Sequence, residues 1–267
     1  MLLPDIEWVK IPKVGENGQS KFIYQKDKRE SPPDFWMARY PITYAQFQTF
    51  IDAADGWRNP RWWEGLSILD EQRDKPFNQN FLYWNHPREN VSWYQAVAFC
   101  RWLTEQAQQH PELLPAEARD KKDWRISLPT KWQWEKAAQG FEGRKYPWGS
   151  DSYQPGHANI NETYENAGPH YLQTTSAVGM YPQGASPYGL LDLSGNVWEW
   201  YLNEHANLDD IQESGSEVRV LRGGSWSNAH NDAAAVRRRR NYPSSGDDYV
   251  GCRVVLSRSA LVPVPSL

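Results

Sequence analysis

Fifteen tryptophans in 267 residues constrain this chain more than any other feature. An indole is a large ring to bury, and its N–H needs an acceptor once it is buried. Only 39 % of the residues are hydrophobic, so the core has to be filled by large rings rather than by many aliphatic side chains. That combination predicts a loop-rich fold in which indole N–H groups donate to loop carbonyls. The length suffices for one large domain or two small ones. No Pro/Gly/Ser-rich linker and no charge block divides the chain, so a single domain over residues 1–267 is expected.

The net charge of −4 gives no reason to expect a nucleic-acid or membrane partner. No apolar run reaches about 18 residues, so no transmembrane span is expected. The start, MLLPDIEWVKIPK, lacks the basic-then-apolar pattern of a secretory signal, and a cytoplasmic location is the default expectation. The two cysteines, Cys100 and Cys252, allow at most one disulfide, and neither sits in a CxxC pair that would suggest zinc. Cys100 lies in an amphipathic stretch and reads as a buried free thiol.

The hydrophobic pattern gives a coarse order of elements. IEWVKIPK and KFIYQ alternate and read as the two strands of a hairpin. FWMARY reads as a strand. Thr43 then caps a helix, Gln46 completes a capping box, and Phe47, Phe50 and Ile51 share one face. Residues from Gly56 to Asn85 read as irregular loop. Ser92 and Gln95 form a second capping box ahead of a stripe of Ala96, Phe99, Cys100 and Leu103. Thr130 caps a third helix, which Gly140 ends. WEWYLNE alternates as a strand, and the last segment reads as strand, long loop, strand, turn, strand. Two or three helices against small antiparallel sheets, with long loops, make an α+β fold.

Five motifs are more specific than this pattern: SLPTKWQWEKAAQG, GRKYPWG, YGLLDLSGNVWEW, RVLRGGSW and a closing GCRVV, in that order. Together they resemble the formylglycine-generating-enzyme/sulfatase-modifying-factor family, from roughly Phe35 to Leu256. The resemblance implies a C-type-lectin-like fold. Function has to be argued from the site, because one fold hosts many activities.

The enzymes of that family oxidise a substrate cysteine with two cysteines of their own that bind copper, a metal suited to soft thiolates. Counting back from Pro243 and Gly251 puts those two positions on His230 and Ala235. Ala cannot ligate a metal, and one His makes no site, so no copper and no catalytic residue are expected. Cys252 takes the place of an aromatic in the closing motif. A related branch uses a three-His iron centre, but the six His of this chain are scattered.

The last segment also resembles the variable proteins of diversity-generating retroelements, in which rewritten codons cannot encode Lys, Glu, Gln, Met or Trp. From Ser227 to Cys252 none of these five types occurs; the chain beyond Cys252 also lacks them. The resemblance makes residues 227–252 a candidate variable region, although its Arg run departs from the usual alternation of Arg with Asn. The ligand-binding candidates are Ser227, Asn228, Ala229, Asn231, Asp232, Arg237, Arg239, Asn241, Tyr242, Ser245, Asp247, Asp248 and Tyr249. If 233–241 is a strand, Arg238 and Arg240 face the scaffold and Arg237 and Arg239 face the ligand. Exposed Arg beside Tyr242 and Tyr249 suits a planar or anionic partner, protein or small molecule; a solvated basic edge that resists aggregation explains the same residues.

The resemblance further implies structural calcium. The side chains of Asp192 and Glu199 with the carbonyls of Gly195 and Val197 match one family site. Asn159 and the Ile160 carbonyl match another, with Glu165 or Asn166 as a further donor. Hard oxygen ligands suit Ca²⁺. Glu199 could instead pair with a base such as Arg222. The expectation is therefore a non-catalytic ligand-binding protein. The alternatives are an enzyme of the same family with a different centre, or a fixed protein-interaction module.

Overall fold

The computed structural model describes residues 3–149 and 151–258, so the outermost residues of the expected domain lie outside the described ones. Four strands, β1 (Trp8–Ile11), β2 (Lys21–Tyr24), β3 (Asp27–Glu30) and β4 (Phe35–Ala38), precede the first helix, α1 (Tyr44–Asp52). A short α2 (Asp70–Asp74), the long α3 (Trp93–Gln109), β5 (Trp124–Ser127) and α4 (Lys131–Gln139) follow. After a long loop come β6 (Trp198–Glu204), β7 (Arg219–Arg222), β8 (Arg238–Asn241), β9 (Val250–Gly251) and β10 (Val255–Arg258). The fold is α+β, as the pattern implied. No helix among the described residues is long and apolar enough to cross a membrane.

The three main helices start where the sequence says they should. Each of Thr43, Ser92 and Thr130 accepts the N–H of the residue three on, while Gln46, Gln95 and Gln133 reach back to the cap backbone. These reciprocal bonds satisfy N–H groups that a helix start leaves free. Gly140 ends α4 at φ 68°, a conformation glycine adopts without penalty.

Strand pairing differs from expectation at the start of the chain. β1 and β2 do not form a hairpin: β1 pairs with β4, and β2 pairs with β3 across a turn at Gln25 and Lys26. The reason is the central sheet, ordered β1-β4-β10-β5. Alternate residues of a strand face opposite sides, and both sides of β4 are covered. Trp36 and Ala38 enter the core built on α1 and α3, whereas Phe35 and Met37 enter a second core with Trp134, Tyr201 and Val255. β1 completes this doubly covered sheet, and β2–β3 becomes a flap against α4.

The second sheet is ordered β8-β7-β6-β9. It departs from a purely antiparallel expectation, because β6 and β9 run parallel. β6 is buried on both faces rather than alternating, since it sits between the two cores. Trp indoles tie the elements together: Trp93 of α3 donates to the Tyr201 carbonyl of β6 at 2.7 Å, Trp200 to the Val91 carbonyl in the loop before α3 at 2.9 Å, and Trp57 to the Arg73 carbonyl of α2 at 2.8 Å.

Candidate functional site

The segment after β7 is built on two close approaches. A side chain at Gly224 would bring its Cβ within 2.9 Å of the Ala233 backbone, and Gly224 has φ 75°. This lets the chain fold inward, so that Ala233, Ala234 and Ala235 are buried. The expected strand over 233–241 is therefore shorter: residues His230–Ala233 form a 3-10 turn, and only Arg238–Asn241 pair with β7.

This inward fold divides the candidate residues into two groups. On one side, Asn231 donates to Glu165 at 2.8 Å and Arg237 pairs with Asp232 at 3.2 Å. On the other, Arg239 donates to the Tyr249 hydroxyl at 3.3 Å, with its guanidinium 5.0 Å from the Tyr249 ring centre and 6.0 Å from that of Trp198. Asn241 donates to Asp247 at 2.9 Å, and Tyr242 is 64 % exposed. Ser245 sits in the turn that follows, its N–H donating to the Tyr242 carbonyl at 3.0 Å. The arm over 243–249 is braced from below: the Asn90 N–H donates to the Asp247 carbonyl, the Trp93 N–H to that of Pro243, and the Asn80 amide to the Asp248 carboxylate.

Two expectations about individual side chains change. Arg238 and Arg240 do not turn into the scaffold; all of Arg237–Arg240 are exposed, because β8 is an edge strand with its other side open. Asn228 belongs to the framework rather than to the free surface. Its Oδ1 accepts from Trp198 Nε1 at 2.8 Å and from Ser225 at 2.6 Å, and its carbonyl accepts the Asn161 N–H. Ser227 lies beside Ser225 in the same turn, and Ala229 leads into the 3-10 turn.

The pattern missed Trp226, which is half-buried between Phe81 and Tyr171 and donates to the Asp248 carbonyl at 3.1 Å. Its place in the RGGSW motif was the available signal.

At the positions of the family's thiol pair, His230 lies 3.6 Å from the Glu165 carboxylate, and Ala235 is fully buried in the second core. The Ala235 carbonyl accepts from Arg222 at 2.7 Å. Both cysteines are buried and unpaired. Burial pushes the Cys252 thiol up to about 12 and the Cys100 thiol well above its usual range.

The two donor sets for calcium differ in fit. Both Glu199 oxygens are taken by Arg253, at 2.8 to 3.1 Å, and one also accepts from Trp134 at 2.6 Å. Arg253, not Arg222, is thus its counter-ion; Arg222 pairs with Glu135. Asp192 accepts the Gly179 N–H at 2.7 Å, and burial pushes its carboxyl up to about 6. With a guanidinium already neutralising Glu199, this set does not fit a dication. The other set does. Asn159 Oδ1 is buried with no partner, and its residue lines a cavity of about 220 Å³ with Ile160, Glu162, His170 and Leu172. Glu165 accepts from Asn231 instead, and the carboxylate that lines the cavity is Glu162, whose oxygens accept from Tyr153, Gly156 and His170. Among the described residues no group of three or more His, Cys, Asp or Glu could hold a metal, so amide and carbonyl oxygens would have to contribute.

Fold and site together define a C-type-lectin-like scaffold with a polar, aromatic-flanked surface. The family described as sulfatase-modifying factor enzyme 1-like domain matches residues 14–258, and the chain belongs to that family. It is 33 % identical over 182 residues to the inactive C-alpha-formylglycine-generating enzyme 2 of Mus musculus, covering 64 % of this chain and 49 % of that protein. It is 30 % identical over 225 residues to hercynine oxygenase of Mycobacterium tuberculosis, covering 73 % and 46 %. The chain spans about half the length of these curated relatives. Treponema denticola variable protein 1 shares the fold, with a TM-score of 0.60 at 21 % identity over 93 % of this chain and 94 % of that one.

Proposed function

We propose that this chain is a non-catalytic, ligand-binding member of the family, and that it is a variable protein of a diversity-generating retroelement. Its binding surface is the exposed part of residues 227–249, centred on Arg239, Asn241, Tyr242, Asp247 and Tyr249. The observation that carries the reading is the fate of the thiol pair. One position holds a histidine and the other an alanine sealed in an apolar core, while the thiols that exist are buried and held protonated. Thiolate, not thiol, is the nucleophile and the metal ligand. The similarity to an inactive relative points the same way.

Binding chemistry follows from the surface. Arg239 laid against Tyr249 and Trp198 presents a planar cation between rings, and the neighbouring exposed Arg side chains add positive charge. Such a surface suits a planar or anionic ligand, protein or small molecule. A calcium ion at Asn159 and Ile160 would pin the 156–172 loop and stabilise the fold through mass action.

Reading the DNA beside the gene tests this proposal. A near-copy of the segment encoding Gly223–Val255, differing only at adenines, with a reverse-transcriptase gene beside it, is the expected result. Neither feature would leave a fixed surface. The similarity to hercynine oxygenase favours a second reading, an oxidase with another centre. Oxidation of a cysteine-containing peptide by the copper- or iron-supplemented protein would support that reading against ours.

A further inference from the structure

The loop that braces the 243–249 arm through Asn80 also lines a cleft. This cleft, of about 610 Å³, opens between α1 and residues 76–82, lined by Tyr44, Gln48, Phe77, Asn78, Leu82 and, at its base, Arg88. Arg88 is only 2 % exposed. Its guanidinium donates to the Phe77 carbonyl and, at 3.3 Å, to Gln79 Oε1, while Nε has no partner. Among the described residues no carboxylate forms an ion pair with it. The adjacent Glu89 is fully buried, but its Oε1 accepts the Asn80 and Phe81 N–H groups and its Oε2 has no partner.

This arrangement is costly as it stands. A buried charge destabilises a fold unless it is paired, and two neutral acceptors with the Phe47 ring 5.3 Å from the guanidinium do not neutralise it. Burial pulls the Arg88 pKa down to about 10, with Glu89 opposing that effect. The same burial pushes the Glu89 carboxyl up to about 7, so it is a weak counter-charge near neutral pH. Small-molecule sites join an apolar lining to a few convergent polar groups. Here the rings of Tyr44 and Phe77 with Leu82 give the apolar wall, Gln48 and Asn78 the amides, and Arg88 the charge.

We propose that this cleft binds a small molecule carrying an oxyanion, carboxylate or phosphate, on an apolar body, with Arg88 as the counter-charge. Arginine matches both oxyanions geometrically. The site is distinct from the 227–249 surface, although Phe77 joins them: a Cβ at Gly246 would meet its ring at 2.5 Å.

Calorimetric titration of the full chain with benzoate, with phenyl phosphate and with neutral benzyl alcohol tests the proposal. Saturable binding of benzoate or phenyl phosphate, with none of benzyl alcohol, is expected. Benzoate alone would assign the carboxylate, and phenyl phosphate alone the phosphate. Arg88→Met should weaken that binding by at least about tenfold and change the melting temperature of the free protein by less than about 4 °C, because removal of the buried charge offsets the loss of the bonds to Phe77 and Gln79 and of the Phe47 contact. Gln48→Glu, a change on the partly exposed face of α1, should weaken anion binding; it also exchanges the hydrogen bond to Asp52 for like-charge repulsion one turn on, so a small fall in melting temperature accompanies it. Failure of the wild type to bind either anion overturns the proposal. So does unaltered anion binding in Gln48→Glu, or an Arg88→Met variant that binds as before; Arg88 would then only be holding the 77–79 loop.

Discussion

Arg253 shows how much a single buried residue can organise. Its guanidinium holds both oxygens of Glu199 and donates to the carbonyls of Ala38, Arg39 and Leu191, with no exposure. Glu199→Gln leaves that charge without its partner, so urea unfolding at neutral pH should show a loss of about 3–5 kcal/mol. Asp192 should behave in the opposite way. Its carboxyl is held near 6 when folded and returns to the usual range near 3.8 when unfolded. A group raised on folding stabilises fully below its unfolded value, and that contribution is lost as pH rises through the folded value. Asp192→Asn should therefore be more stable than the wild type by about 1–3 kcal/mol at neutral pH in chelator. The difference should vanish near pH 3; no gain at neutral pH would mean the carboxylate has a cationic partner there. Asn228 separates framework from surface: Asn228→Ala should cost about 1–2 kcal/mol by stranding the Trp198 N–H, and Tyr242→Ala under about 0.5 kcal/mol. The sequence revealed that the indoles need acceptors, but not which ones. Glu199 finds its counter-ion 54 residues away in sequence, and nothing local distinguishes Arg253 from Arg222.

Among the elements, the three capped helices were legible, whereas α2 lies inside the stretch from Gly56 to Asn85 that reads as loop, and the order of the strands was not legible. A capping box is read from four consecutive residues, and Thr43, Ser92 and Thr130 each begin a helix as expected. Strand order depends on distant segments: β10 enters between β4 and β5, placing Val255 opposite both Met37 and Ser127. A local alternation such as that of β1 and β2 carries no information about such partners. The 156–172 loop shows the same limit. Asn159 and Ile160 stood out by motif, whereas Glu162 became visible only through the fold, where it accepts from Tyr153 at 2.7 Å and from the N–H groups of Gly156 and His170. If calcium binds there, removing it with chelator should lower the melting temperature of the wild type and not that of Asn159→Ala. Equal responses in the two proteins would remove calcium from Asn159.

At the scale of the whole molecule, the fold is carried by a sheet covered on both faces and by buried ion pairs, and the 237–249 rim is joined to this frame largely through its backbone, as where Arg222 donates to the Arg237 carbonyl and the Trp198 N–H to that of Tyr249. That arrangement is what a binding surface open to rewriting requires, because loops on a rigid scaffold can change without changing the core. The absence of five residue types from 227–252 suggested such a surface, and the buried Ala233–Ala235 restricts it: the tolerant positions are the exposed ones on either side. The most direct measurement is the thermal unfolding of a variant with Arg237, Arg239, Tyr242 and Asp247 all replaced by alanine. A binding surface laid over an independent scaffold predicts a fall in melting temperature of less than about 4 °C. A fall of more than about 10 °C would mean that these residues hold the fold together, and would contradict the account.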